Sequence, residues 1–383
     1  MKKSPRVVLA GAATAAVLLA ASLAAQQAPP KLEVRRVEVV TPLEGLDPVL
    51  LVQGREAQGR EELAVPRGIF RYLFTSPETK AEFEKNPGRF EIQMGGLCAR
   101  MGGATRGNPD LYAVHEGRIY VFGTEECQTR FRAHPASYLE KAPPPLPQSP
   151  DAGKKAMALL AKAVAAAGGA EAIDALRDYA ATGIQRLTTP QGERELPISW
   201  FSVWPGHTRL ERQFGQIRVA TVVTPQDAFS LISNAQRRTL QDLTPAQLAY
   251  QRNDMSRTPL EILRARKRPG FRAAALGPGR AGETLTELVG ITLGDLRATL
   301  GIDPETGRIL SLSFLDRGPQ GEAGEVLLEF SDFRSVHGLE LPFAVLATFD
   351  GKPFPLRSYT FTGIALNSSL DPGLFARPEP DQE

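Results

Sequence analysis

Hydrophobic and polar residues follow two different periods in the larger, C-terminal part of the chain. From about residue 178 onward, short segments alternate between apolar and polar side chains, and turn sequences such as Pro205-Gly206 and Asp350-Gly351 separate them. This alternation is typical of β-strands joined by hairpin-length loops. Apolar residues recur at helical spacing in 151–176 and 244–266. The pattern therefore predicts a long, mostly antiparallel sheet accompanied by helices.

Both helical stretches contain a residue that should interrupt them. Gly168-Gly169 breaks the first stretch, and Pro259 marks a break in the second. Thr244 can cap the second stretch, with Pro245 at the first helical position that proline favours. We expect a helix that is broken at Gly168-Gly169 and followed by a second short turn in the first stretch, and one or two helices in the second, packed against the sheet.

The segment before residue 140 contains one pattern twice. Seven pairs of similar residues are separated by the same 48 positions, as Tyr72 is from Tyr120. Each copy predicts a short aromatic strand, a Ser or Thr cap, and a helix with one buried Phe that ends at a proline. The first copy contains Tyr72, Phe74, Ser76, Glu78, Phe83, Pro87 and Phe90, and the second contains Tyr120, Phe122, Thr124, Glu126, Phe131, Pro135 and Tyr138.

Motifs in and around the two copies resemble those of a known small domain. They are Asp47-Pro48-Val49, Gly95-Gly96-Leu97-Cys98-Ala99, and Glu126-Cys127 followed by Phe131 and Pro135. This set resembles the exported, double-length members of the YHS-domain family, over about a quarter of the chain. The resemblance implies a module of short strands and a helix that is linked to metal handling. Leu50 stands where many members carry a cysteine, and Thr79 stands where the second copy has Cys127.

The region 150–380 resembles a different family. Its order is helix, strands, helical insert and strands, and its closing motifs are Glu329-Phe330-Ser331-Asp332-Phe333-Arg334, His337-Gly338-Leu339-Glu340-Leu341-Pro342, Ile364-Ala365-Leu366-Asn367 and Leu374-Phe375-Ala376-Arg377-Pro378. These features resemble the lipoprotein-carrier (LolA/LolB-like) fold of periplasmic sorting factors. The resemblance implies a half-open barrel and, as partner, a lipid or a lipoprotein. The predicted fold class is α+β: a small duplicated YHS-like module followed by a mostly antiparallel half-open β-barrel with helices against it.

The first residues have the composition of a secretory signal. Three basic residues precede the apolar stretch 7–21, and small residues at 22–25 provide a cleavage pattern. We predict a signal peptide over 1–25 and an exported protein, periplasmic or extracellular, with an uncleaved membrane anchor as the alternative. No later segment of the sequence is apolar over the length that a membrane span needs.

A proline-rich stretch divides the rest of the chain. Five prolines between 142 and 150 favour an extended, semi-rigid linker. We therefore predict a module over 43–140, a linker over 141–150 and a half-barrel domain over 151–380.

Charge and motif content argue against several classes of function. The formal net charge of +2 is too small for a nucleic-acid-binding protein that depends on counterion release. Two cysteines are too few for a disulfide scaffold or a four-cysteine zinc site. The sequence contains no nucleophile elbow, Walker loop or His-Glu-x-x-His motif. A non-enzymatic role is therefore favoured over an enzyme.

Soft and borderline metal ligands cluster in the module: Met94, Cys98, Met101, His115 and Cys127. Thiolate, thioether and imidazole groups suit copper(I) or zinc, so Cys98, His115 and Cys127 are candidate metal ligands. In an exported protein, a Cys98–Cys127 disulfide is the competing interpretation, and it would stabilise the fold by about 3 kcal/mol. Two unpaired thiols are the third.

Aromatic residues of the predicted half-barrel could line a ligand cavity. Trp200, Trp204, Phe214 and Phe229 are the candidate contacts for an apolar ligand, since a half-open barrel leaves one concave face. Ordinary core packing between sheet and helices is the alternative for the same residues.

The sequence thus favours an exported binding protein. Its ligand would be a lipid-like or other apolar molecule in the half-barrel, with a metal ion, copper or zinc, as a further candidate in the module. A metal-dependent envelope enzyme using the Cys/His cluster and a structural envelope protein are the competing classes.

Overall fold

The computed structural model describes residues 30–139, 142–189 and 192–379. The predicted signal peptide at 1–25 therefore lies outside the described residues. Within these three ranges, no helix has the length and apolar content that crossing a membrane would require.

The first described elements are strand β1 and the duplicated module. They are β1 (Leu32–Arg35), α1 (Pro48–Val52), β2 (Arg60–Arg67), β3 (Phe70–Phe74), α2 (Pro77–Lys85), α3 (Pro87–Phe90), β4 (Asn108–His115), β5 (Arg118–Phe122) and α4 (Glu125–Ala133). β2 and β3 form one antiparallel hairpin, and β4 and β5 form another. Hairpin and helix begin 48 residues later in the second copy than in the first, as β2 at 60 and β4 at 108 show. The repeat in the sequence is therefore a repeat of one hairpin-helix unit.

The two copies also agree in their local contacts. Ser76 caps α2 with φ −148° and ψ 162°, and Thr124 caps α4 with φ −147° and ψ 161°. The Phe83 ring centroid lies 5.1 Å from that of Phe74, and the Phe131 centroid lies 5.0 Å from that of Phe122. Each unit therefore buries one helical Phe against its own aromatic strand, as the sequence predicts.

The remaining elements build a large sheet and the helices packed on it. The helices are α5 (Pro150–Ala166), α6 (Ala170–Asp174), α7 (Pro245–Met255) and α8 (Pro259–Ala265). The strands are β6 (Asp178–Thr189), β7 (Gly192–Val203), β8 (His207–Phe214), β9 (Ile217–Val223), β10 (Ala228–Ser233), β11 (Arg238–Asp242), β12 (Arg272–Ala281), β13 (Thr284–Leu293), β14 (Leu296–Ile302), β15 (Ile309–Arg317), β16 (Ala323–Val336), β17 (Leu339–Phe349), β18 (Lys352–Pro353) and β19 (Tyr359–Leu366). Both predicted helix breaks are present, at Gly168-Gly169 and just before Pro259.

The sheet is mostly antiparallel and does not close. Its strand order is β1-β11-β10-β9-β8-β7-β6-β19-β17-β16-β15-β14-β13-β12, and β18 pairs with β17. β1 and β11 are parallel, whereas the pairs from β11 to β12 along this order are antiparallel. β1 and β12 lie at the two edges of the sheet. The prediction of an open, mostly antiparallel sheet is confirmed, and one edge strand comes from before the module.

Buried side chains join the sheet to the helices in one large core. Leu160 and Ala163 of α5 and Ile262 of α8 pack in the same cluster as Leu312 and Phe330 of the sheet. Residues 142–149 have no helix or strand, and most of their side chains are exposed. The linker and the domain limits stay predictions.

The second copy of the module contacts the half-barrel directly. Gln247 of α7 donates a hydrogen bond from Nε2 to the Ala104 carbonyl over 2.7 Å. Arg317, at the end of β15, donates to the Tyr138 carbonyl. Ala104 and Tyr138, on either side of the second hairpin-helix unit, therefore contact the half-barrel.

Candidate functional sites

An apolar cavity lies between the helices and the sheet. It is lined by Ala163 and Ala166 of α5 and Ala167 directly after it, by residues 258–261 and 263 around α8, and by residues of β6, β7, β15, β16, β17 and β19. The empty space in it, including the part that is open to solvent, is about 970 Å³. Small-molecule sites are typically apolar clefts with a few polar groups, and this cavity has that character.

Aromatic side chains form much of the cavity wall. Trp200 and Trp204 line it from the β7 side, and Phe330 and Phe361 line it from β16 and β19. Trp200 lies in β7 and Trp204 is the first residue after that strand, and both side chains line the cavity. Such a wall suits a hydrocarbon chain, since aromatic rings bury a large apolar area.

Few polar groups face this space. The Trp204 indole N–H donates to Glu261 Oε1 over 2.8 Å, and burial raises the pKa of the Glu261 carboxyl. Burial also raises the pKa of Tyr359 to about 12, so its hydroxyl stays protonated at neutral pH. Arg308 and Glu340 form an ion pair at 3.3 Å among the lining residues. The cavity is apolar along its wall and polar at a few defined points.

The other two predicted ligand contacts lie elsewhere. Phe214, at the end of β8, is 41% exposed and does not line the cavity. Phe229 is fully buried in a separate cluster with Leu240 and Phe375. The register explains its position: Phe229 pairs with Val222, Val222 pairs with Arg209 of β8, and Arg209 pairs with Phe201. Paired residues project from the same face of a sheet, whereas Phe201 and its neighbour Trp200 project from opposite faces. Phe229 therefore lies on the face opposite Trp200.

Cys98 and Cys127 form a second candidate site, within the module. Both are free thiols and both are buried. Cys98 bridges to Val121 of β5, while Cys127 lies in the first turn of α4. The Thr124 hydroxyl lies 3.3 Å from the Cys127 sulfur, and Arg100 Nη1 donates to that sulfur over 3.7 Å. The two cysteines are 29 residues apart in the sequence (98 to 127), and each thiol influences the pKa of the other.

The two thiols differ in acidity. Burial raises the pKa of Cys98, although backbone N–H groups of Met101, Gly123 and Arg100 favour its thiolate. Burial acts in the same direction on Cys127, but hydrogen bonds from Thr124, Arg100 and Cys98 outweigh it and lower the pKa of Cys127. Negative charge in the pair is therefore favoured on Cys127, next to the Arg100 guanidinium.

The predicted metal set Cys98, His115 and Cys127 is not brought together. Across the described ranges, no three His, Cys, Asp or Glu side chains are grouped so that they could hold a metal ion. His115 instead packs edge-on against Phe131, with ring centroids 6.0 Å apart. The Met101 sulfur accepts a hydrogen bond from Arg100, whose positive charge disfavours a cation there. The geometry does not support the copper or zinc site.

Sequence reasoning missed several cavity residues. Tyr179, Phe333 and Glu261 all line the cavity. Glu261 is a single acidic residue in a short helix, and its partner Trp204 is 57 residues away in the sequence, so no local pattern connects the two. The even spacing of Trp200, in β7, and Trp204, directly after it, was the signal that the sequence did contain.

Comparison with known proteins yields structural neighbours. No protein-family model matches the chain, and no curated protein matches it. The chain is similar to a domain assigned as an outer membrane lipoprotein-sorting protein from Vibrio parahaemolyticus (12% identity, TM-score 0.38), to a DUF1329 family protein from Desulfovibrio piger (9%, 0.38) and to a LolA superfamily protein from Nitrosomonas europaea (11%, 0.37). Each match covers 58% of this chain and 97% of the other chain.

Proposed function

We propose that this chain is an exported binding protein whose half-barrel holds a lipid-like ligand in the cavity between α5, α8 and the sheet. The observation that carries the proposal is the aromatic-lined cavity itself, which lies on the helix side of an open sheet. The signal-like residues at 1–25 and the lipoprotein-carrier resemblance of 150–380 support export and an acyl ligand.

A fluorescent fatty-acid probe tests this proposal on the full chain without its signal. We expect saturable binding at micromolar probe concentration. Trp200→Glu should weaken binding at least tenfold, because it puts a charge into the apolar wall. Phe214→Glu is the matched control: it introduces the same charge in the same sheet, at an exposed position outside the cavity.

A second variant guards against misfolding of Trp200→Glu. Ala166→Phe should fill part of the cavity from the helix side, where Ala166 is half-buried. It should also weaken probe binding while circular dichroism shows the β-rich fold unchanged. No saturable binding to the parent protein, or equal loss in Phe214→Glu, would contradict the proposal.

We also propose that Cys98 and Cys127 form a disulfide in the exported protein. The electrostatic interaction between the two buried thiols and the lowered pKa of Cys127 support it, because the thiolate is the attacking species in thiol–disulfide exchange. A disulfide of an oxidising partner would accept the two electrons and two protons, so its S–S bond breaks as the Cys98–Cys127 bond forms.

Alkylation under denaturing, non-reducing conditions tests the disulfide. Protein isolated from an oxidising compartment should show no free thiol, and reduction should expose two. Reduction should lower the melting temperature of the module and leave that of the half-barrel unchanged. Two alkylated thiols before reduction would exclude the bond.

A further inference from the structure

A second, more polar cleft adjoins the apolar cavity. It is lined by residues 204–208, by the ends of α7 and α8, and by the β13–β14 turn at 293–296. Trp204 and Glu261 line both spaces, so the cavity and the cleft meet at this hydrogen-bonded pair. A ligand could therefore occupy both with different parts of its structure.

Basic residues at the end of α8 divide into two groups. Arg266 and Lys267 are paired with Asp174, at 3.0 Å and 2.6 Å. Arg264 and Arg268 line the cleft instead. Helix-end stabilisation explains the first group, since cations are favoured at a helix C-terminus. The second group, Arg264 and Arg268, places its positive charge at the cleft.

The two cleft arginines are held differently. Arg264 stacks on Trp204, with its guanidinium carbon 4.2 Å from the ring centroid, and it donates to the Ile173 carbonyl. Arg268 is exposed, its side chain forms no hydrogen bond or ion pair with the residues that the structure describes, and its charge favours the ionised form of Glu261. Arg264 is thus fixed at the junction, while Arg268 is available to a ligand.

Other charged groups in the cleft leave it cationic. Arg252 of α7 also lines it and donates to the Thr224 carbonyl over 3.3 Å. The acidic lining residues are Asp295 and Glu261, and Glu261 already accepts the Trp204 indole N–H. Three guanidinium groups therefore face two carboxyl groups.

We propose that the cleft binds the anionic headgroup of an amphiphile whose alkyl chain lies in the apolar cavity. This inference rests on the proposed function and adds the charge of the ligand. Arginine is suited to the task because its planar fork pairs with carboxylate or phosphate oxygens. Trp204 suits the junction, since its apolar ring and polar N–H match the boundary between chain and headgroup.

Three amphiphiles with one chain length test the headgroup. Dodecanol, dodecanoate and dodecyl phosphate are each used to displace the fluorescent probe from the full chain without its signal. We expect both anions to bind about tenfold more tightly than dodecanol. Arg268→Gln should remove about fivefold of that preference and leave dodecanol affinity unchanged. Lys267→Gln, the adjacent cation paired with Asp174, should change none of the three affinities.

The outcomes separate this inference from the proposed function. Equal affinity for the three amphiphiles, with no effect of Arg268→Gln, overturns the headgroup site and leaves the apolar cavity intact. Equal losses in Arg268→Gln and Lys267→Gln show only general surface attraction and also overturn the site. Failure of every amphiphile to displace the probe, or of the probe to bind, overturns both. A preference for the anions that weakens with added salt supports the site.

Discussion

The two copies of the module share one backbone cradle and fill it with different chemistry. In the first copy, the cradle holds the fully buried carboxylate of Asp47. Its oxygens accept hydrogen bonds from the backbone N–H groups of Val49, Leu50 and Thr75, at 3.0, 3.4 and 2.8 Å. The Thr79 hydroxyl donates a further bond over 2.7 Å. This carboxylate ties α1, the end of β3 and α2 together.

In the second copy, the sulfur of Cys98 lies in the same cradle, 51 residues later (47 to 98). It accepts a hydrogen bond from the Met101 N–H over 3.4 Å, and the backbone N–H groups of Arg100 and Gly123 also favour its thiolate. These three groups are the counterparts of the three donors around the carboxylate. Cys127 stands where the first copy has its threonine, 48 residues on (79 to 127). The N–H groups that hold a carboxylate in the first copy therefore have counterparts around a thiol in the second.

The difference shows how duplication separates stability from reactivity. Asp47 and Thr79 make strong, charge-assisted hydrogen bonds and have no redox chemistry. Cys98 and Cys127 keep the same fold with weaker hydrogen bonds, because sulfur is a poor acceptor. The second copy therefore has weaker hydrogen bonds than the first, and it has a pair of thiols that can be oxidised.

The largest effect should follow from emptying the cradle of the first copy. Asp47→Ala leaves several buried donors without an acceptor, so we expect the opening free energy of β3 to fall by about 3 kcal/mol. Cys98→Ala in the reduced protein should lower that of β5 by about 1 kcal/mol. Hydrogen-exchange mass spectrometry measures both strands in the same full-length protein. Equal losses would contradict the contrast between the copies.

A smaller and equal effect should follow from removing either helix cap. Ser76→Ala and Thr124→Ala should each cost about 1 kcal/mol, because each hydroxyl satisfies one backbone N–H of its helix. Only Thr124→Ala should also slow alkylation of Cys127, whose sulfur the Thr124 hydroxyl contacts. Slower alkylation in both variants would point to general loosening of the module.

Much of the half-barrel could be predicted from period and turn signals. The two-helix stretch at 244–266 and the helix break at Gly168-Gly169 carry local signals that tertiary structure did not override. Strands β11 and β12 were not predicted: Arg238–Asp242 is short, and Arg272–Ala281 contains Gly277-Pro278-Gly279, which obscures any alternation. The parallel pairing of β1 with β11 joins distant segments and leaves no local signal.

The candidate sites depended more on tertiary structure. The even spacing of Trp200, in β7, and Trp204, directly after it, favoured the same face of the sheet for both. The face on which Phe229 lies depends on the registers of three hairpins, and a shift of one residue in any of their turns would put its side chain on the other face. The repeat predicted Cys127 at a helix start and Cys98 near it, but His115 lies against Phe131 because aromatic packing of the second copy fixes it there.

The smallest effect concerns the charge beside Cys127 and its pH dependence. The Arg100 guanidinium contacts the Cys127 sulfur and favours its thiolate, so the folded pKa is lower than the unfolded one. The stabilisation that this gives is present above the unfolded pKa and is lost as pH falls through the folded pKa. Arg100→Gln should therefore shift the midpoint of Cys127 alkylation to higher pH.

Iodoacetamide labelling of the reduced protein across pH measures this shift. At pH 7 we expect Arg100→Gln to react roughly fivefold more slowly, because less thiolate is present. Arg130→Gln is the matched control: it removes an arginine of the same helix as Cys127 that pairs with Glu126 at the surface. Local opening of the module would change the plateau rate and leave the midpoint in place. An unchanged midpoint in Arg100→Gln would show that the helix terminus and Thr124 alone lower the pKa of Cys127.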